Sequence, residues 1–129
     1  MFSNCKTSKD QGNIGVSNAI TYFTSMCYTV SIPLNDSQDY DLVVDIENIL
    51  HKVQVKTSNY RGSSGNYEAS LKSSGGSSRS IYGRVGEGNC SLLFILCGNG
   101  DKYLLPREIF KDIRSNITLG DKYFEYLVI

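Results

Sequence analysis

Tyr40–Ser58 reads YDLVVDIENILHKVQVKTS, and how its two halves pair decides the fold around it. A strand sends successive side chains to opposite faces, so Leu42, Val44 and Ile46 point one way while Asp41, Val43 and Asp45 point the other. In the second half Val53 and Val55 oppose Lys52, Gln54 and Lys56. The pattern predicts an antiparallel hairpin with one apolar face and one face rich in charge. With a two-residue turn at Asn48 and Ile49, Asp41 stands opposite Lys56 and Val43 opposite Gln54. Directly opposed side chains lie roughly 5 Å apart and diagonal ones roughly 7 to 8 Å, so Asp41, Gln54 and Lys56 converge at the open end of the hairpin. A one-residue slip would bury the charges and expose the valines, so the hydrophobic pattern holds this parity.

Two uses of that face compete. Asp41 and Lys56 can form a cross-strand ion pair on a solvated sheet, contributing about 0.2 to 1 kcal/mol, with Gln54 merely polar. Alternatively Asp41, the amide oxygen of Gln54 and the backbone carbonyl of Val55 present hard oxygen ligands to a divalent ion such as Mg²⁺, which keeps several waters and takes phosphate oxygens from a substrate. Lys56 then orients or deprotonates an attacking water, and the reaction is phosphodiester hydrolysis.

Outward from the hairpin, the chain is 129 residues long, a length that suits one domain and buries about two-thirds of the unfolded surface. Lys plus Arg and Asp plus Glu are balanced at 13 each, so only the distribution of charge is informative. Asp36, Asp39, Asp41, Asp45 and Glu47 follow one another with no intervening cation, whereas Lys52, Lys56, Arg61, Lys72, Arg79 and Arg84 are offset by Glu68 alone. Cys5, Cys27, Cys90 and Cys97 have no CxxC spacing, which favours reduced thiols inside a cell over a zinc site or a disulfide scaffold. No apolar run reaches membrane-spanning length and no signal segment opens the chain, so an intracellular protein, in the host cytoplasm or nucleoid-associated, is expected.

Residues 1–12 are polar and expected to be flexible. Ile14, Ala19, Ile20, Phe23 and Met26 recur at helical spacing and predict a helix from about Asn13 to Cys27. YTVSI, Tyr28–Ile32, predicts a strand stopped by Pro33. SLLFILC, Ser91–Cys97, predicts a strand buried on both faces, with GNGD as a hairpin turn and KYLL returning antiparallel. Pro106 suits the first turn of a helix with Ile109, Phe110 and Ile113 inward, and the apolar tail DKYFEYLVI should pack on the body. Between them TSNYRGSSGNYEASLKSSGGSSRSIYG, Thr57–Gly83, reads as one strand, YEASLKS, between two loops. That segment is either a flexible linker or, given its interleaved Tyr60, Arg61, Tyr67, Lys72, Arg79, Tyr82 and Arg84, a surface for phosphates and base edges; Arg61, Lys72 and Arg79 are the expected DNA contacts. His51 is expected to be an exposed turn residue. The order predicts an α/β layered domain with a mixed central sheet.

Asp41, then a hairpin, then Gln54-Val55-Lys56 resembles the active-site motif of the PD-(D/E)XK nucleases, with Tyr40-Asp41 in the place of Pro-Asp and Gln54 in the place of Glu. The order GNIGVSNAITYFTSMCYTVSIPLNDSQDYDLVVDIENILHKVQVKTS, YEASLKSSGGSSRS and KYLLPREIF is similar to the group I intron-associated members, homing endonucleases in which a Gln at that position is tolerated. The likeness runs from about Lys9 to the C-terminus. It implies a restriction-endonuclease-like core, a mixed central sheet flanked by helices in one nuclease domain over 1–129. It also implies Mg²⁺-dependent cleavage of double-stranded DNA, with Mn²⁺ able to substitute, and a homodimer or homotetramer. Asp41 would bind the metal, Gln54 complete its site and Lys56 be the catalytic Lys. Relatives often carry an acid near the start of the first helix; here Asn13 and Val16 stand there, leaving Asp10 as the accessory acid. A Holliday-junction resolvase acting on branched DNA, or a catalytically inactive DNA-binding protein, would use the same scaffold.

Overall fold

In a computed structural model of the chain, which describes residues 1–35, 37–72 and 83–129, the fold is organised around the hairpin. Its arms are β2 (Leu42–Ile46) and β3 (Ile49–Ser58), paired antiparallel with Leu42 opposite Val53 and Ile46 opposite Ile49. The turn is therefore Glu47-Asn48 rather than Asn48-Ile49. Both turn residues have positive φ, 53° and 69°, as the hairpin-compatible type I′ geometry requires. A β-branched residue resists that region, so Ile49 enters the strand and the turn moves back. The predicted parity survives, but the partners change: Asp41 comes to face Gln54, with Lys56 diagonal to it.

Among the described residues the main sheet has the order β1-β2-β3-β6-β7-β9, where β1 is Thr29–Ser31, β6 Leu92–Cys97, β7 Lys102–Pro106 and β9 Leu127–Val128. β3 and β6 run parallel, from Val53 beside Leu92 to Ser58 beside Cys97, and the other pairs are antiparallel. The sheet is mixed, as expected. A parallel pair needs a crossover of a dozen residues or more, and the Ser/Gly-rich segment supplies it. Within that crossover β4 (Tyr60–Arg61) and β5 (Tyr67–Ser70) join β8 (Asn116–Thr118) in a second, three-stranded sheet, a pairing not anticipated from composition.

The helix α1 (Ser8–Ser25) begins five residues ahead of the predicted start. Thr7 and Asp10 form a capping box, each side chain accepting the other's backbone N–H, and this signal outweighs the weak apolar periodicity of the first turn. The preceding residues, expected to be flexible, take part in packing: Phe2 is buried in the core. Gly15 lets the helix approach β3 closely, since a Cβ there would lie 2.5 Å from Thr57 Cγ2. On the other side of the chain, α2 is a single turn, Arg107–Phe110, with Pro106 at its N-cap. It is shorter than predicted, although Phe110 is fully buried and Ile109 and Ile113 pack beside it.

Two cores follow from the alternation of β6. Phe94 and Leu96 join Ala19, Phe23, Leu42, Val44, Val53 and Val55 beneath α1, whereas Leu93, Ile95 and Cys97 join Ala69, Leu71, Leu105, Phe110 and Ile117 beneath the second sheet. Each fully buried large apolar side chain contributes about 1.5 to 3 kcal/mol. In the tail, Tyr123 and Tyr126 pack on the core and β9 pairs with β7, while Phe124 and Ile129 remain exposed. All four cysteines are free, and burial pushes the thiols of Cys90 and Cys97 up to about 12. Among the described residues no helix is long and apolar enough to cross a membrane.

Candidate active site

Asp41 sits one residue before β2, where the β2–β3 ladder ends. Its N–H donates to the carbonyl of Val53 at 2.8 Å, which anchors its backbone to the neighbouring strand. β2 has no further residue to pair with Val55, and the Asp41 carboxylate takes over: Oδ2 accepts the Val55 N–H at 2.8 Å. The same oxygen accepts from Gln54 Nε2 at 3.0 Å, and that amide also reaches the Val55 carbonyl at 3.4 Å. A carboxylate, an amide and a main-chain carbonyl therefore converge on one point. Turning the Gln54 amide about its last torsion puts Oε1 where Nε2 lies, leaving three oxygens around that point. Hard oxygens of this kind suit a small divalent cation that keeps several waters. His/Cys/Asp/Glu clusters of three or more are absent among the described residues, so the donor set carries one carboxylate and two neutral oxygens.

Lys56 lies on the same face of β3, two residues beyond Gln54. Its Nζ reaches the Lys72 carbonyl at 3.5 Å, and its ammonium feels the Asp41 charge. Burial raises the Asp41 carboxyl above the ordinary carboxylate range, opposed by the Val55 N–H and by Lys56. Burial likewise lowers the Lys56 ammonium, opposed by Asp41. Each group is pushed toward neutrality by desolvation and pulled back by its partner. This is not a solvated surface ion pair: both residues are half-buried, and Gln54, not Lys56, stands across from Asp41. A lysine relieved of part of its proton affinity is suited to hold and then accept a water proton.

The remaining predicted residues fall differently. Asp10 is exposed, and its carboxylate accepts the N–H groups of Lys6 and Thr7, which hold its pKa down; it serves as the helix cap. Arg61 is exposed and stacked on Tyr67, 4.3 Å from guanidinium to ring centroid, with Nη1 and Nη2 donating to the Gly65 carbonyl and the Tyr67 hydroxyl. That fixes the β4–β5 arm while leaving further N–H groups outward. Lys72 is exposed and bridges to Arg84 through the backbone, with its carbonyl on Lys56. Arg79 lies outside the described residues. His51 is in β3 rather than the turn, half-buried, with Nδ1 2.9 Å from Ser91 Oγ.

A supporting network was not foreseen. Arg107 donates to the carbonyls of Cys90 and Gly86 at 2.8 and 2.9 Å, pinning the segment 86–90. From that segment the Asn89 N–H reaches Asp39 Oδ2 at 2.9 Å and the Cys90 thiol reaches the Asp39 carbonyl at 3.2 Å. Asp39 is two residues before Asp41, so the clamp sets where Asp41 enters the site. Only the place of Asp39 in the acidic run hinted at it.

Residues 6–123 match the family of PD-(D/E)XK endonucleases. The chain belongs to that family. It is a DNA-cleaving hydrolase, and such nucleases generally use divalent metal ions. Among solved structures it is similar to a bacterial homing endonuclease, I-Ssp6803I, with 28% identity and a TM-score of 0.71 over 94% of this chain and 87% of that one. The mixed sheet flanked by helices is thus the restriction-endonuclease-like core that the motif implied. No curated protein matches the sequence.

Proposed function

We propose that this endonuclease is a Mg²⁺-dependent, homing-type, site-specific enzyme that hydrolyses phosphodiester bonds of double-stranded DNA through Asp41, Gln54, Val55 and Lys56. The observation that carries the reading is the meeting of the Asp41 carboxylate, the Gln54 amide and the Val55 carbonyl within 3.0 to 3.4 Å, beside a half-buried lysine. Asp41 Oδ, Gln54 Oε1 and the Val55 carbonyl would hold the metal. When bound, Mg²⁺ supplies a Lewis acid that offsets charge on the phosphate oxygens. Lys56 in its neutral amine form positions a water and accepts its proton at Nζ as the water oxygen bonds to phosphorus; the bond from phosphorus to the leaving sugar oxygen breaks, and that oxygen is protonated from solvent. With one formal charge among the ligands, metal affinity is low until the DNA phosphate adds its own.

The homing type rests on the likeness to I-Ssp6803I, a bacterial homing endonuclease. The chain acts as one nuclease domain, and because each copy carries one such site while a duplex has two strands, a homodimer or homotetramer is the working form. Mn²⁺ substitutes for Mg²⁺. Supercoiled plasmid carrying the target should be nicked and linearised with Mg²⁺ and remain intact with chelator. Lys56→Ala should abolish cutting, and undiminished cutting by that variant would discard the site. A strong preference for four-way junctions over linear duplex would replace the homing reading with junction resolution.

A further inference from the structure

The charged face of the hairpin holds one cation that this chemistry does not use. Lys52 lies on the same face of β3 as Gln54 and Lys56, opposite Val43. A strand advances about 3.3 Å per residue, so Lys52, Gln54 and Lys56 form a row with a spacing of roughly 6.6 Å. Lys52 is exposed and its Nζ sits 5.3 Å from the centroid of the Tyr40 ring. Tyr40 in turn walls a depression of about 200 Å³ lined by Ile32, Pro33, Asn35, Gln38, Tyr40 and Asp41. Asp41 itself is one of its lining residues. Its wall is apolar along Ile32, Pro33 and Tyr40, and Ile32 is 64% exposed. Its rim is braced without a ligand: Gln38 Nε2 donates to the Asn35 carbonyl at 2.6 Å and to the Tyr40 carbonyl at 3.5 Å, and Asn35 Oδ1 accepts from the Ser37 hydroxyl at 3.0 Å.

We propose that this depression is a nucleotide subsite: it takes the deoxyribose next to the cleaved phosphate, while Lys52 grips the adjoining backbone phosphate. An apolar wall with amides at its edge suits a deoxyribose, whose carbons are apolar and whose ring and ester oxygens accept hydrogen bonds. A lysine is the usual partner for a phosphate as a point charge. The neighbouring Tyr40 ring holds the ammonium in place by cation–π attraction while leaving its N–H groups outward. This inference rests on the active site proposed above, because the strand is placed by the phosphate at Asp41.

Its test is made without metal, so that it reads binding and not chemistry. Fluorescence anisotropy with labelled target duplex in chelator, at several salt concentrations, compares the unsubstituted protein with Lys52→Ala, Lys52→Arg and Ile32→Asp. Loss of one phosphate contact should flatten the plot of log affinity against log salt by about 0.9 and weaken binding roughly eightfold at 0.1 M salt. Lys52→Arg should restore the slope, and Ile32→Asp, which puts a carboxylate against the backbone, should weaken binding at least as much as Lys52→Ala. Lys52 and Ile32 are both exposed, so the variants should keep the melting temperature of the parent. An unchanged slope for Lys52→Ala together with full affinity for Ile32→Asp overturns the subsite and leaves the catalytic assignment standing. Plasmid cleavage lost in Lys56→Ala but target binding absent in the parent overturns the subsite as well. Cleavage undiminished in Lys56→Ala, with the Lys52 and Ile32 effects intact, overturns the catalytic assignment alone.

Discussion

Asp41 and Lys56 carry charge at positions where burial opposes it, and that opposition has a cost in stability. The folded pKa of Asp41 is raised, so its ionisation disfavours the folded state increasingly as pH rises from its unfolded value through the folded one. The folded pKa of Lys56 is lowered, so its protonation disfavours the folded state increasingly as pH falls from its ordinary value through the folded one. Near neutral pH both penalties are present, reduced by mutual attraction. Asp41→Asn should therefore abolish cleavage and yet keep or raise the melting temperature at pH 7; a fall of several degrees would contradict burial as the leading influence. For the reaction Lys56 acts in the same direction: kcat/KM should rise with pH as Lys56 loses its proton. Lys56→Arg, which stays charged at every accessible pH, should lower kcat by about 10² to 10⁴ and remove the alkaline rise in the pH–rate profile. Gln54→Glu adds a second carboxylate beside Asp41; titration calorimetry should find tighter Mg²⁺ binding, and metal-free melts should find a less stable protein, through like-charge repulsion.

The elements that carry these side chains differ in how tightly they are specified. β6 is buried on both faces, and Phe94, fully buried against Phe23 and Tyr22, should lose about 3 to 5 kcal/mol on truncation to Ala, measured by denaturant unfolding. The β2–β3 turn is less well made, since Glu47 and Asn48 occupy left-handed backbone without glycine. The Asn-Gly pair, Glu47→Asn with Asn48→Gly, is the preferred occupant of such a turn; it should stabilise the protein by about 1 kcal/mol with no change in cleavage. The clamp behind Asp41 behaves otherwise. Arg107→Ala frees the carbonyls of Cys90 and Gly86, loosens Asp39, and should lower kcat by about tenfold with little effect on DNA affinity, through the misplacement of Asp41. A matched loss of binding and turnover would mark Arg107 as supporting the fold in general.

With a net charge of zero, the overall field of the molecule does not draw DNA toward it. Sedimentation in the presence of target duplex should find two or four copies, and a single copy that makes double-strand breaks would contradict the two-fold argument. Parity along the hairpin, burial of SLLFILC on both faces and the gathering of Asp41, Gln54 and Lys56 on one side were determined by the sequence alone, because a strand's period of two ties each side chain to a face. The motif itself carried the family. Which residues oppose one another was decided only by the folded turn, where backbone sterics excluded Ile49 and moved the partner of Asp41 from Lys56 to Gln54. The start of α1 was written in Thr7 and Asp10, but as a capping signal that apolar periodicity does not register. The Arg107–Asp39 clamp, the β8 strand and the depression beside Tyr40 join residues distant along the chain, and no local pattern encodes such meetings. They exist because the β3–β6 crossover and the packing of two cores bring those segments together.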